Sequence, residues 1–365
     1  MKLEQIWQDL HGLAEISFKE VKTTDYIANT LERAGIRVQL FKKHTGLIAE
    51  VGSGEPVIGL RADIDALWQE VDGRMQGNHS CGHDAHMTIG IGALLALKEK
   101  EDSLRGTFRC IFQPAEEQGN GSLAVIKSGG ADGLKMLFGV HLRPKEELSF
   151  GEAAPAISHG GGIFYEGKIT GKDLHGARPH QGVNAIEAGF ALAQQMHAVR
   201  LSPMIPHSVK MTNFHAGASN YNIIPGSATF ALDVRAQTNE TMVELQRMIE
   251  EKVAAVSDLL GVKIEGEWID YTPAAAINEE AEAVMREAII AEMGEESLRP
   301  RVVTPGSDDF HYYTIEKPEL KAVMLGLGSD LAPGLHHPDM TFNHDCLEQG
   351  VRVVTRAVEM AMEAE

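Results

Sequence analysis

Basic residues are scarce in this chain: 33 Lys and Arg stand against 52 Asp and Glu, leaving a formal charge of -19 at pH 7. A surface of that sign repels phosphate backbones and anionic lipid, and no basic cluster offsets it, so nucleic acid and membrane surfaces are poor partners. Cysteine is also rare. Cys81, Cys110 and Cys346 are odd in number and lack framework spacing, which suits a reducing compartment better than a secreted disulfide scaffold. Long apolar runs are missing too, since nothing approaches the roughly 20 residues of a membrane span. The first stretch, MKLEQIWQDLHGLAEISFKE, carries four acids where a secretory signal needs an apolar run. The expectation is a soluble cytoplasmic protein.

What is present is ordinary globular material. At 365 residues with 43% hydrophobic and 23% charged content, the chain is long enough for two domains with cores of their own and is not composed like a disordered one. Residues 3–35 read as a helical hairpin or pair, with Ile6, Leu10, Leu13, Ile27 and Leu31 on apolar spacing and Gly35 as a stop. Short apolar runs follow at 46–51, 57–60, 107–112 and 136–140, separated by helix-like stretches at 87–100 and 122–128, a pattern that argues α/β. Three of these runs end in ionisable groups: Arg61-Ala62-Asp63, Glu116-Glu117 and His141. Open α/β sheets place their ligand crevice outside the carboxyl ends of strands, so groups distant in sequence can converge there.

From residue 164 the pattern becomes β-α-β-β-α-β: strands at 164–169, 208–214, 228–235 and 262–269, with helices at 185–201 and 242–260. Asn184 and Glu187 form a candidate capping box, and Met242, Leu245, Ile249, Val253 and Val256 make one apolar stripe. Such a split βαβ unit folds as a small domain. Helices at 279–293 and 347–363, with a strand at 322–327, resume the earlier style. The reading is a discontinuous metal-binding domain, residues 1–163 and 275–365, interrupted by a lid and dimerisation domain at 164–274.

The densest chemistry lies in Asn78-His79-Ser80-Cys81-Gly82-His83-Asp84-Ala85-His86, where a thiol, three imidazoles and a carboxylate fall within one short run. Zinc and similar ions take these donors. Cys81 and His83, two apart, share a side of an extended segment. A buried Cys beside loop histidines is the plain alternative, but it does not account for donors at three neighbouring strand ends. Glu116 and Glu117 follow Gln113-Pro114-Ala115 in a sharp turn that points adjacent side chains apart, so one can bind metal while the other serves as acid and base. His141 and the pair His336-His337 complete the donors, the last two not distinguished by spacing. Five or six donors exceed one zinc shell of four, favouring two ions.

In order along the chain, Leu60-Arg61-Ala62-Asp63-Ile64-Asp65-Ala66-Leu67, Cys81-Gly82-His83-Asp84, Gln113-Pro114-Ala115-Glu116-Glu117, His175-Gly176-Ala177-Arg178-Pro179-His180, Asn222-Ile223-Ile224-Pro225 and Pro305-Gly306-Ser307-Asp308-Asp309-Phe310 resemble the successive motifs of the aminoacylase, hippurate hydrolase and auxin-conjugate amidohydrolase family of dinuclear metallopeptidases. The resemblance implies a zinc-peptidase-like catalytic domain with a mixed sheet flanked by helices, plus an inserted ferredoxin-like lid. It implies Cys81, His83, Glu117, His141 and His336 as ligands of two divalent ions (zinc, manganese, cobalt or nickel), Glu116 as general acid and base, and Asp63 as a supporting carboxylate. By the same resemblance His175 reaches the scissile carbonyl oxygen, in cis or from a partner subunit, while Asn222, Arg235 and Gly306 bind substrate. The implied reaction is hydrolysis of an N-acyl amino acid or short peptide by metal-activated water, with a homodimer through the lid allowed. A dipeptidase or carboxypeptidase, or a binding protein that has lost catalysis, stands as the alternative. Two departures bear on specificity: Trp68 stands where the family has Pro, followed by a short polar segment up to Cys81, and Asn343 stands where an acid is frequent.

Overall fold

The computed structural model describes residues 2–364, which separate into two compact units, one of residues 2–158, 276–303 and 308–364 and the other of residues 159–275 and 304–307. The first unit is built on a seven-stranded mixed sheet. In spatial order its strands are Arg37–Leu40, Leu47–Gly52, Thr107–Gln113, Val57–Asp63, Leu134–Pro144, Lys321–Leu331 and Ala153–Ala154. Thr107–Gln113, Val57–Asp63, Leu134–Pro144 and Lys321–Leu331 run parallel, with Asp63 opposite Gln113 and His141 opposite Gly326. Their carboxyl ends therefore lie side by side.

Alternation along Val57–Asp63 builds both faces of this sheet. Ile58, Leu60 and Ala62 enter a core shared with the helices Leu3–His11, Val21–Arg33, His83–Lys98, Glu279–Met293 and Cys346–Ala364, as a period of two requires. Val57 faces a second core containing Leu137, Phe310, Tyr313 and Met324. Arg61, on that same face, is 1% exposed, so its charge must be matched internally.

The helix His83–Lys98 is buried nearly all round, the pattern of a core helix rather than a surface one. A Cβ at Gly92 would lie 2.4 Å from a Val351 methyl carbon, so glycine there lets the helix approach Cys346–Ala364 closely. The sequence reading started this helix at 87 and put Cys81 and His83 on one extended segment. In the structure His83 is already helical, and Gly82 at φ 86° makes the left-handed turn between the two. The expected opening pair of helices is present, as Leu3–His11 and Val21–Arg33.

A two-stranded hairpin, Leu67–Val71 and Arg74–Asn78, pairs Val71 with Arg74 across Asp72-Gly73, both at positive φ. That is the geometry of a two-residue primed turn.

In the second unit a four-stranded antiparallel sheet, ordered His207–Ala216, Ser227–Ala236, Gly161–Thr170 and Lys263–Thr272, packs with the helices Ala185–His197 and Asn239–Leu260. The chain order is β-α-β-β-α-β. Asn184 caps its helix through the Ile186 amide, and Met242, Leu245, Ile249, Val253 and Val256 face the small core. No helix among the described residues is long and apolar enough to cross a membrane.

Candidate metal centre

Strand ends and one helix start supply the donors. Asp65, fully buried just beyond the strand Val57–Asp63, accepts the Glu116 amide at 3.1 Å through Oδ1, and the Glu117 amide at 3.1 Å and Ser17 Oγ at 2.6 Å through Oδ2. These bonds hold the Glu116-Glu117 turn, which Ala115 enters at φ 55°. His83 Nδ1 lies 2.9 Å from the Asp65 carbonyl oxygen; because a carbonyl only accepts, Nδ1 carries the proton and Nε2 presents its lone pair inward.

That lone pair has no hydrogen-bond partner among the described residues, and neither has Glu117 Oε1, although both atoms are buried. They lie 3.9 Å apart. Orphaned buried polar atoms are rare and costly, and this pair is too far apart to bond, but both are atom types that divalent ions take as ligands. Around them two triads share one thiol: Cys81, His83 and His141, and Cys81, Glu117 and His336, each with donor atoms within 4.8 Å of one another. His141 Nδ1 lies 2.7 Å from the Leu142 carbonyl oxygen and so is the protonated nitrogen, turning Nε2 to within 3.7 Å of Cys81 Sγ. His336 Nε2 lies 3.5 Å from Glu117 Oε1. Thiol, imidazole and carboxylate grouped this way are donors that would suit divalent ions. Burial pushes the Cys81 thiol well up, with the Glu117 carboxylate adding to it; a coordinating cation reverses that preference.

Glu116 Oε2 sits 3.8 Å from His83 Nε2. Burial raises its proton affinity well above the usual carboxylate range, and the charges of Asp308, Glu117 and Asp309 raise it further. Asp63 is the opposite case: burial would raise it, but His83, Arg61 and His86 together hold it well below the ordinary value.

Behind the donors lies a buried network. Arg61 donates from Nη1 to Asp63 Oδ2 at 2.5 Å, from Nη2 to Asp309 Oδ1 at 2.7 Å and Asp308 Oδ1 at 3.2 Å, and from Nε to Gln113 Oε1 at 3.0 Å. His86 Nε2 accepts the Leu142 amide at 3.0 Å, which leaves Nδ1 protonated to donate to Asp63 Oδ1 at 2.7 Å. Asp65, Arg61 and His86 carry no role in the sequence reading. The signals were there: two acids with period two at a strand end, and a third histidine one helical turn after His83.

The expected substrate-side residues belong to the second unit. His175 and Asn222 are neighbours there, since Gly176 donates its amide to the Asn222 carbonyl at 2.7 Å and His175 pairs with Ile223. Both side chains are exposed. Arg235 is held by Asp233, Nε to Oδ1 at 2.6 Å, and its guanidinium stacks 5.6 Å above the Phe164 ring. Gly306 donates its amide to Thr304 Oγ1 at 3.2 Å.

Comparison with known proteins agrees in kind. Residues 59–360 match the family described as peptidase family M20/M25/M40. The N-acetylcysteine deacetylase of Bacillus subtilis (strain 168) is 30% identical over 370 residues, covering 95% of this chain and 93% of that protein. The IAA-amino acid hydrolase ILR1-like 4 of Arabidopsis thaliana is 32% identical over 262 residues, covering 67% of this chain, which spans only 58% of that relative. Among solved structures, the Bacillus subtilis YXEP protein, described as a dinuclear metal-binding peptidase of the M20 family, superposes with a TM-score of 0.87 at 26% identity, covering 100% of this chain and 98% of that one.

Proposed function

Since the chain belongs to peptidase family M20/M25/M40 and is a metal-dependent amidohydrolase, we propose that it cleaves the amide bond of N-acyl amino acids, releasing a carboxylic acid and a free amino acid. The observation that carries this reading is the pair of orphaned buried atoms, His83 Nε2 and Glu117 Oε1, one in each of two donor triads that share Cys81. Relatives named for deacetylating N-acetylcysteine and for hydrolysing IAA-amino acids support the substrate class.

In this reading Cys81, His83, Glu117, His141 and His336 hold two divalent ions. When bound, such ions polarise a carbonyl and bring the pKa of water down from about 15.7 toward about 7. Zinc suits a thiolate and imidazole set best, with manganese, cobalt and nickel as the alternatives to be measured. The chain's own groups do the rest. Glu116, with its raised proton affinity, takes a proton from the attacking water on a carboxylate oxygen and gives it to the departing amine nitrogen. Asp63 orients His86, and Asp65 orients His83 together with the turn that bears both glutamates. His175 donates to the carbonyl oxygen as negative charge develops there. Arg235, with its planar fork, and Asn222 take the substrate carboxylate, with Gly306 as a further substrate-binding residue.

We also read the second unit as the dimerisation surface. Its edge strand His207–Ala216 and the 69% exposed Phe190 support that assignment. Three unpaired, buried cysteines suit the cytoplasm.

The test is reconstitution of metal-stripped protein with zinc, manganese, cobalt or nickel, each assayed against N-acetyl amino acids, N-benzoyl amino acids and dipeptides. Turnover of the acylated substrates with full metal dependence is expected. Activity confined to dipeptides would replace the proposal with a dipeptidase, and ligand retention without products would replace it with a binding protein.

A further inference from the structure

Among the proposed ligands, His336 has its backbone held in the left-handed region, at φ 64°. A residue with a Cβ stays there only when its surroundings over-determine it. Those surroundings are identifiable. The His336 amide donates to the Ser80 carbonyl at 2.7 Å, and its carbonyl accepts from Gln69 Nε2 at 2.8 Å. Gln69 is fixed in turn, because its Oε1 accepts from Ser80 Oγ at 2.7 Å and from Asn78 Nδ2 at 3.1 Å. Asn78 Nδ2 also donates to the Pro338 carbonyl at 3.0 Å. With a carbonyl on one side and donors on the other, the orientation of the Gln69 amide is set by its partners.

All three polar side chains come from the hairpin Leu67–Asn78 and the residue two places beyond it. The hairpin therefore grips the turn that presents His336, while Ser80 stands next to Cys81, a ligand of both triads. We propose that Gln69 is the positioning residue for His336, so that this hairpin determines how tightly the ion at Cys81, Glu117 and His336 is held. The inference rests on the reading of His336 as a ligand and adds to it the element that tunes its grip.

The experiment is zinc titration of the metal-stripped full chain against a chromogenic chelator, comparing wild type with Gln69→Met, Gln69→Glu and His336→Ala. Methionine keeps the length and loses every hydrogen bond. Glutamate keeps both acceptor contacts and loses only the donor to the His336 carbonyl; its charge alone would tighten cation binding, so weakening there reports lost positioning. Wild type should bind two ions and His336→Ala should lose one. Both Gln69 variants should bind one ion normally and the other about 10 to 100-fold more weakly, the usual effect of removing a partner that orients a ligand. Wild-type affinity at both sites in the Gln69 variants, with His336→Ala still losing an ion, would overturn the inference and leave the proposed function standing. Equal weakening of both ions would also overturn it, since that is general damage. If His336→Ala binds like wild type, His336 is not a ligand and the inference falls with that assignment.

Discussion

Replacing Asp65 with asparagine isolates the part of the centre built by hydrogen bonds alone. Its carboxylate accepts the amides of Glu116 and Glu117 and the Ser17 hydroxyl. Asparagine retains one acceptor oxygen. With that oxygen kept toward Glu116, the new NH2 meets Ser17, whose hydroxyl can rotate to accept, and the Glu117 amide, which cannot. One hydrogen bond to a charged group, about 1.5 to 3 kcal/mol, is lost and one buried donor is left facing another, about 1 to 3 kcal/mol. Against this, removing a negative charge relieves repulsion that Asp65 exerts on Glu117 and Glu20. The directional losses exceed the relief, and the metal-free variant should be about 1 to 3 kcal/mol less stable in urea unfolding. Zinc affinity should fall by about 10 to 100-fold, because the turn carrying Glu117 is loosened. Unfolding within about 0.5 kcal/mol of wild type, with zinc affinity unchanged, would refute the claim that Asp65 organises the site.

Glu116→Gln should retain both ions by metal analysis while turnover drops by about 10² to 10⁴-fold; near-normal turnover would remove Glu116 from the acid and base role. The hydrogen bond of His11 to Asp84 raises the His11 pKa above 6.5, against the lowering by burial. A group raised on folding contributes stability that is complete below its unfolded value near 6.5 and is lost as pH climbs through the folded value. An NMR titration should therefore place His11 above 6.5 in wild type and at or below 6.5 in Asp84→Asn, where burial alone remains. Gly92→Ala should destabilise by about 1 to 3 kcal/mol through overpacking, since its Cβ would fall 2.4 Å from Val351 and 2.9 Å from Leu3; an unchanged melting temperature would show that the two helices can part.

The α/β alternation and the inserted β-α-β-β-α-β unit were legible because their signals are local. Strands such as Val57–Asp63 are short apolar runs, and the helix Asn239–Leu260 shows one apolar stripe ending at Gly261, which adopts φ 61°. The start of the helix His83–Lys98 was not legible. Its first turn, His83-Asp84-Ala85-His86, is polar in composition yet fully buried, because His83 and His86 bond to Asp65 and Asp63 while Asp84 bonds to His11. Apolar periodicity cannot mark such a turn. The hairpin Leu67–Asn78 was missed for a related reason: Gln69, Glu70, Arg74 and Gln76 give no apolar alternation, and only Asp72-Gly73 signalled the turn. Donor types pointed to Cys81, His83, Glu117 and His141 as candidates, whereas the supporting roles of Arg61, Asp65 and His86 rest on contacts, even though the spacing of Asp65 and His86 was visible in the sequence.

The central claim, two ions sharing the Cys81 thiolate, is tested most directly by anomalous diffraction from crystals of the zinc-loaded chain. Two peaks roughly 3.5 to 4 Å apart are predicted, both about 2.3 Å from Cys81 Sγ, one ligated by His83 and His141 and the other by Glu117 and His336. A single peak with a closed four-ligand shell, or peaks away from Cys81, would contradict the account.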